Sequence, residues 1–310
     1  MKPTGEMKPA APTNNPGEAP VPAIAQAAND AMIRSPLDAT PSPEGKRVYY
    51  TAFKRSEDGE DIPGVFTVAA DGSGAIETLV QGDPLGAPVG ISVSLDGSKL
   101  FVADPASGPE AAGAVLTLAA NGGSASPLPG TERYRPKGVA VAKVKDEEYL
   151  YFTGHAPDSG QAGVFRIGAG GGTATALASG EPFGDPSGLV VSAKGDVYVV
   201  EASVDQHAAR VLRVSGAKVE AFVENIGIGF PAGITLTHDD STLLVSGLDP
   251  DTKHDVVYFV NVATGAVSRL TKTVGQFAEP AGLHRAHNTD VFAWADSEAN
   301  ASGTVYVLKP

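Results

Sequence analysis

Cysteine is absent from all 310 residues. That excludes disulfides, thiolate zinc sites and a cysteine nucleophile. It is compatible with an oxidising compartment without requiring one. Long apolar runs are absent too, and no stretch reaches the ~20 residues that a bilayer-spanning helix needs. The N-terminus lacks the apolar core of a signal peptide. Basic residues are few: 23 Lys and Arg stand against 36 Asp and Glu, a formal charge of −13. A nucleic-acid footprint needs clustered Lys and Arg to displace counterions, so no nucleic-acid partner is expected. No Gly-x-Ser-x-Gly elbow supports a serine hydrolase. The glycine run at 168–172 precedes a strand and lacks Lys-Ser/Thr, which makes it a hairpin turn rather than a phosphate loop.

Glycine and proline are abundant, at 37 and 24 residues. Many turns between short strands require them. Pro-x-Gly recurs at Pro88-Val89-Gly90, Pro136-Lys137-Gly138, Pro186-Ser187-Gly188, Pro231-Ala232-Gly233 and Pro280-Ala281-Gly282. Pro36-Leu37-Asp38 is a degenerate sixth copy, and the successive prolines lie 52, 48, 50, 45 and 49 residues apart. A period of that size with several short strands per unit predicts an all-β, six-bladed β-propeller with four-stranded antiparallel blades. Single blades cannot bury their faces, so residues 21–310 are expected to form one domain. Second strands read Val48-Tyr49-Tyr50, Leu100-Phe101-Val102 and Leu150-Tyr151-Phe152; third strands recur as Val65-Phe66-Thr67-Val68 and Val115-Leu116-Thr117-Leu118. Both are β-branched and aromatic-rich.

Residues 1–20 are Pro-, Ala- and polar-rich and predict a disordered tail. The tail has the look of a spacer left when a secretion or lipoprotein signal is removed, with a lipid tether upstream; the alternative is a native cytoplasmic N-terminus. The last repeat has only 31 residues from Pro280, enough for three strands. Ala27 lies nine residues before Pro36, as Leu79 lies before Pro88 and Leu177 before Pro186. An N-terminal strand within 22–29 is therefore expected to complete the last blade and close the ring. First-strand residues facing the axis are small (Ser92 and Ser94, Ala140 and Ala142, Thr235 and Thr237), as converging blades require. His284 breaks that pattern, with Arg285 and His287 beside it.

The run Gly90-Ile91-Ser92-Val93-Ser94-Leu95-Asp96-Gly97-Ser98-Lys99-Leu100-Phe101-Val102-Ala103-Asp104 resembles the repeat of six-bladed propellers of the NHL and SMP-30/gluconolactonase kind. Weaker copies lie at 188–201 and 233–246. The resemblance implies the fold over residues 22–310. It also implies a divalent metal on the axis, held by a Glu before the first Gly-Pro, an Asn opening an Asn-Gly-Leu strand and an Asp in a later blade. This chain reads Arg34-Ser35-Pro36, Val89-Gly90-Ile91 and Ser187-Gly188-Leu189 at the corresponding places. The Glu and the Asn are both missing.

Loops entering first strands and leaving second strands share the channel mouth. They carry Asp38, Asp104, Arg135, Lys137, His155, Asp185, Glu201, Asp249, Glu279, His284 and Asp296. Asp38, Arg135, Asp185, Glu201, Glu279, His284 and Asp296 are the candidate ligand-binding residues. Asp185, Glu201, Glu279 and His284 are the candidate metal ligands for Ca²⁺ or Zn²⁺, and His284, Glu201 and Asp185 the candidate acid–base groups. The competing reading is structural: carboxylates that cap loops through backbone N–H groups, and an imidazole bonded to a neighbouring blade. Trp294 is read as core. The expected function is a secreted or periplasmic binding or scaffold module, a monomer, taking a small polar molecule or a protein at an acidic mouth. The alternative is a metal-dependent lactonase or ester hydrolase with a rearranged axial site. Deleting residues 1–20 is expected to leave the melting temperature nearly unchanged and deleting 1–31 to lower it sharply. Equal melting of the two truncations would refute the closure.

Overall fold

The computed structural model describes residues 23–203, 208–226, 232–248, 255–270 and 280–309. Six four-stranded antiparallel sheets form a ring, a six-bladed β-propeller. Blade one runs Ile33–Pro41, Arg47–Arg55, Asp61–Ala69 and Glu77–Gln81 from axis to rim. Blades two to five follow at 90–127, 139–179, 186–226 and 234–269. Blade six takes Pro280–Arg285, Phe292–Asp296 and Thr304–Lys309 from the C-terminal end. Its outer place is filled by Ala23–Ala28, antiparallel to Thr304–Lys309, with Ala23 opposite Lys309 and Gln26 opposite Tyr306. Asn29 fastens this strand, its side-chain amide donating to the Gly303 carbonyl at 2.7 Å.

Successive side chains of a strand point to opposite faces, so each blade feeds two interfaces. Leu100 and Val102 pack with Tyr49 and Val65 of blade one, while Phe101 and Ala103 pack with Phe152 of blade three. Tyr50 turns the other way, into the core between blades one and six, with Ala293 and Val305. Trp294 is buried between blades five and six and stacks on Tyr306. Each fully buried side chain of this size contributes about 1.5–3 kcal/mol. The core is thus six apolar seams between blades.

The Pro-x-Gly glycines lie where neighbouring backbones come nearest. A Cβ on Gly90 would strike the Lys137 carbonyl, on Gly138 the Ser187 carbonyl and on Gly188 the Ala232 carbonyl. On Gly233 it would strike the Leu283 amide, and on Gly282 the Asp38 carboxylate. The motif is therefore the contact between one blade and the next. Hydroxyls reinforce it, and Ser187 Oγ accepts the Ala232 N–H of the next blade at 3.0 Å. Thr153 Oγ1 accepts the Gly138 N–H and donates to the Ser187 carbonyl at 2.7 Å; Ser246 Oγ accepts the Gly233 N–H and donates to the Ala281 carbonyl at 2.6 Å.

At the other end of the axis, the turns between first and second strands bond to the next blade. Turn N–H groups of Leu95, Ala193 and His238 donate to Glu148, Asp240 and Asp290, each at 2.7 Å. Blade one has Pro43 at that turn, with no N–H to give. Blade two opposes it with Gly97, and the Pro43 carbonyl instead accepts from the Asn288 N–H at 3.0 Å.

Gly188→Ala should cost about 3 kcal/mol, because the backbone it meets cannot give way. Gly170→Ala, with open space around it, should change stability by less than about 0.5 kcal/mol. Urea denaturation of both variants checks this, and equal effects would remove the steric account of the repeat.

Candidate functional site

Asp38 occupies the place that glycine holds in the other five Pro-x-Gly copies. Its carboxylate is buried, at 3% exposure. Oδ1 accepts the Ala39 N–H at 2.8 Å, and Oδ2 accepts the Ile91 N–H of blade two at 2.7 Å. His284 Nε2 of blade six lies 2.9 Å from the same Oδ2. A carboxylate can only accept, so Nε2 carries the proton. His284 Nδ1 makes no hydrogen bond among the described residues. One aspartate thus ties together three blades, and it holds the imidazole in a fixed orientation.

Asp38 and His284 line a narrow axial cavity with Lys137, Ser187 and the ring glycines. The centre of a water-sized sphere has about 10 Å³ to move in there, room for one water. His287, in the blade-six turn, spans the far end: its Nε2 reaches the Val93 carbonyl of blade two at 2.8 Å. Burial pushes its pKa down, so the ring is neutral at neutral pH.

Lys137 of blade three pairs with Asp185 of blade four, and both side chains are part-buried. His155 adjoins them, its N–H donating to the Tyr134 carbonyl at 2.7 Å. Its pKa falls below the ordinary 6.5, through burial first and then the charges of Lys137 and Arg135, against an opposing pull from Asp185. Arg135 is exposed.

Three carboxylates at the ends of second strands are occupied by backbone. Asp104 accepts from the N–H groups of Gly86, Ala87 and Ala106 at 2.8, 2.9 and 2.9 Å. Glu201 Oε1 accepts from Gly184 and Asp185 at 2.6 and 2.7 Å, and its buried Oε2 has no hydrogen-bond partner. Asp296 accepts from Glu298 and Ala299 at 3.1 and 2.7 Å. Burial raises the pKa of Asp104 and of Glu201, against the lowering effect of these bonds.

Asp38 and His284 are therefore in contact, and Asp185 sits with Lys137 beside His155. Glu201 holds the loop that carries Asp185. Glu279 and Asp249 lie outside the described residues. Among the described residues, no three His, Asp or Glu side chains group as a metal site. Asp185, Glu201 and His284 each face a different partner. Lys137, His155 and the bridging hydroxyls of Thr153 and Ser246 do more than their place in the sequence suggested. Aligning the six copies of the repeat gives the signal for Thr153 and Ser246, since both stand opposite the glycine.

No protein-family model matches the chain, and no curated protein matches it. Solved structures do. One is a gluconolactonase from Xanthomonas campestris, 14% identical over 93% of this chain and 89% of that one, at a TM-score of 0.63. Another is regucalcin, a calcium-binding protein from Agrobacterium tumefaciens, 12% identical over 91% and 92%, at 0.60. A third is the periplasmic gluconolactonase of Pseudomonas aeruginosa, 20% identical over 88% and 85%, at 0.50. At these identities the likeness establishes the fold.

Glu201→Gln keeps one acceptor for the two N–H groups and should stay within about 1 kcal/mol of wild type at pH 7, whereas Glu201→Ala should lose about 2–3 kcal/mol. A raised carboxyl pKa means that the folded state holds the proton more tightly than the unfolded state does. Wild type should therefore lose stability relative to Glu201→Gln as pH rises from the ordinary 4.5 through the raised value. Urea denaturation across that range checks the sign; a relative loss on acidification would overturn the assignment.

Proposed function

We propose that this propeller is a binding module that takes a small polar ligand at the loop end of its axis. The observation carrying this reading is that three titratable side chains, Asp38, Lys137 and His284, converge on one narrow axial cavity, which has room for one water and whose rim is where a ligand would sit. Their blades are different, and only the closed ring brings them together. The Lys137–Asp185 pair adds a polar rim, and the His287 bridge spans the opposite end. Ligands therefore approach from the mouth. An exported setting fits the absence of cysteine and the periplasmic gluconolactonase among the structural neighbours.

A metal-dependent lactonase or ester hydrolase is the second reading, supported by the gluconolactonase neighbours and by the free Nδ1 of His284. The described donors do not fit a Ca²⁺ site, which needs six to eight oxygens. Asp38 and Glu201 accept from backbone N–H groups, and Asp185 faces a lysine ammonium.

Thermal melting with a panel of small acids, polyols, sugars, Ca²⁺, Zn²⁺ and EDTA separates the two. A ligand at one hundred times its Kd should add about 2.7 kcal/mol. Lys137→Met and Asp185→Asn should fold and lose the shift produced by an organic ligand. Retention of the shift in both variants would remove the mouth from the reading. A shift with Ca²⁺ or Zn²⁺, reversed by EDTA, would support the hydrolase reading, and no shift with any metal would sink it.

A further inference from the structure

We propose that Arg135 and His155 form an oxyanion subsite at the mouth, and that its ligand is a small organic acid held by its carboxylate. The inference rests on the mouth-binding reading and names the ligand class.

The backbone that presents Arg135 is strained. Arg133 and Arg135 take φ values of 70° and 48°, in the left-handed region. Non-glycine residues there cost of order 1–3 kcal/mol and persist only where the surroundings hold them. Arg135 also precedes Pro136, which narrows its choices further. The segment is held on both sides: the Arg133 N–H donates to the Gly113 carbonyl at 2.8 Å, and the Tyr134 carbonyl accepts from His155 at 2.7 Å. A Cβ on Gly113 would stand 2.9 Å from Arg135 Cα, so the packing leaves no slack. The bond from the His155 N–H to the Tyr134 carbonyl seats Arg135 one residue away from the strand end that carries the half-buried imidazole, within reach of its charge.

The local charges favour an anion there. Lys137 is engaged by Asp185. Glu201 is engaged by the Gly184 and Asp185 N–H groups. Asp158, on the loop after His155, is exposed and acts on Tyr134. The Arg135 guanidinium makes no hydrogen bond or ion pair with any described residue. Its charge is uncompensated in a chain of formal charge −13. A guanidinium fork matches a carboxylate in two parallel bonds, and a neutral imidazole adds one N–H donor. Phosphate shares this oxyanion chemistry. A dianion is repelled more strongly by Asp185 and Asp158, which favours the carboxylate.

The test is calorimetric titration of the full chain with acetate, glycolate, acetamide and inorganic phosphate at pH 7 and low ionic strength. The His155 ring signals, assigned against His155→Gln, are followed by NMR. Acetate and glycolate should bind, acetamide should not, and the pKa of His155 should rise when an acid is bound. Arg135→Gln should melt like wild type and weaken acetate binding about tenfold or more. Binding of acetamide as tightly as acetate, or wild-type acetate affinity in Arg135→Gln, would overturn the subsite. Tighter binding of phosphate would overturn the carboxylate assignment. Neutral sugars that bind through Lys137 and ignore Arg135 would leave the mouth reading standing and defeat this one. Absence of binding by every probe would defeat both.

Discussion

The rest of the structure depends on how closely neighbouring backbones approach at the axis. Five glycines permit that approach, because each would drive a Cβ into the next blade. The sixth place holds Asp38, and its neighbours accommodate it in matching ways. Gly282 has no side chain because the Asp38 carboxylate fills that space. Ile91 supplies an N–H and His284 an imidazole. A carboxylate buried without such donors would cost several kcal/mol. The degenerate copy of the repeat is therefore a specified joint between blades six, one and two. It stands on the same blade-six to blade-one seam that the Ala23–Ala28 strand helps to close.

The two ends of the axis have different chemistry for a topological reason. At the turn end, carboxylates of one blade accept turn N–H groups of the previous blade, so the acids there are structural fasteners. At the mouth end, the connecting loops are longer and more variable, and second-strand carboxylates fold back to hold them. Among the described residues, Asp38, Asp104, Glu201 and Asp296 thus face backbone N–H groups, and Asp185 faces Lys137. Lys137 is paired with Asp185 and His284 with Asp38, whereas Arg135 and His155 make no side-chain hydrogen bond with a described residue.

Blade number, strand order and the closing strand were legible because they depend on spacing and alternation, which are local. The capping role of Asp104 and Asp296 was legible as one of two readings, because an acid after a strand has nearby N–H groups to accept. The Lys137–Asp185 pair was not legible as a contact, since its members are 48 residues apart and meet only through the blade period. The His287 bridge to Val93, across 194 residues, was hidden further: it links two blades that are not neighbours. Asp38 and His284 were each singled out, but their contact needs the ring to close, and sequence proximity gives no hint of it at a separation of 246.

The engagement of the carboxylates also bears on why this fold need not carry its neighbours' chemistry. An axial cation site requires carboxylate oxygens free to turn toward the axis. In this chain the axial carboxylate points at an amide and an imidazole, and Glu201, near the end of the blade-four second strand, points at the loop that carries Asp185. Releasing either would strand buried N–H groups at about 1–3 kcal/mol each. A metal would have to outweigh that cost before gaining any affinity. Arg135 and His155 make no side-chain hydrogen bond with a described residue, so a ligand held by them would require no such release. On a scaffold whose acids brace its loops, the recognition we propose at Arg135 and His155 leaves the scaffold intact.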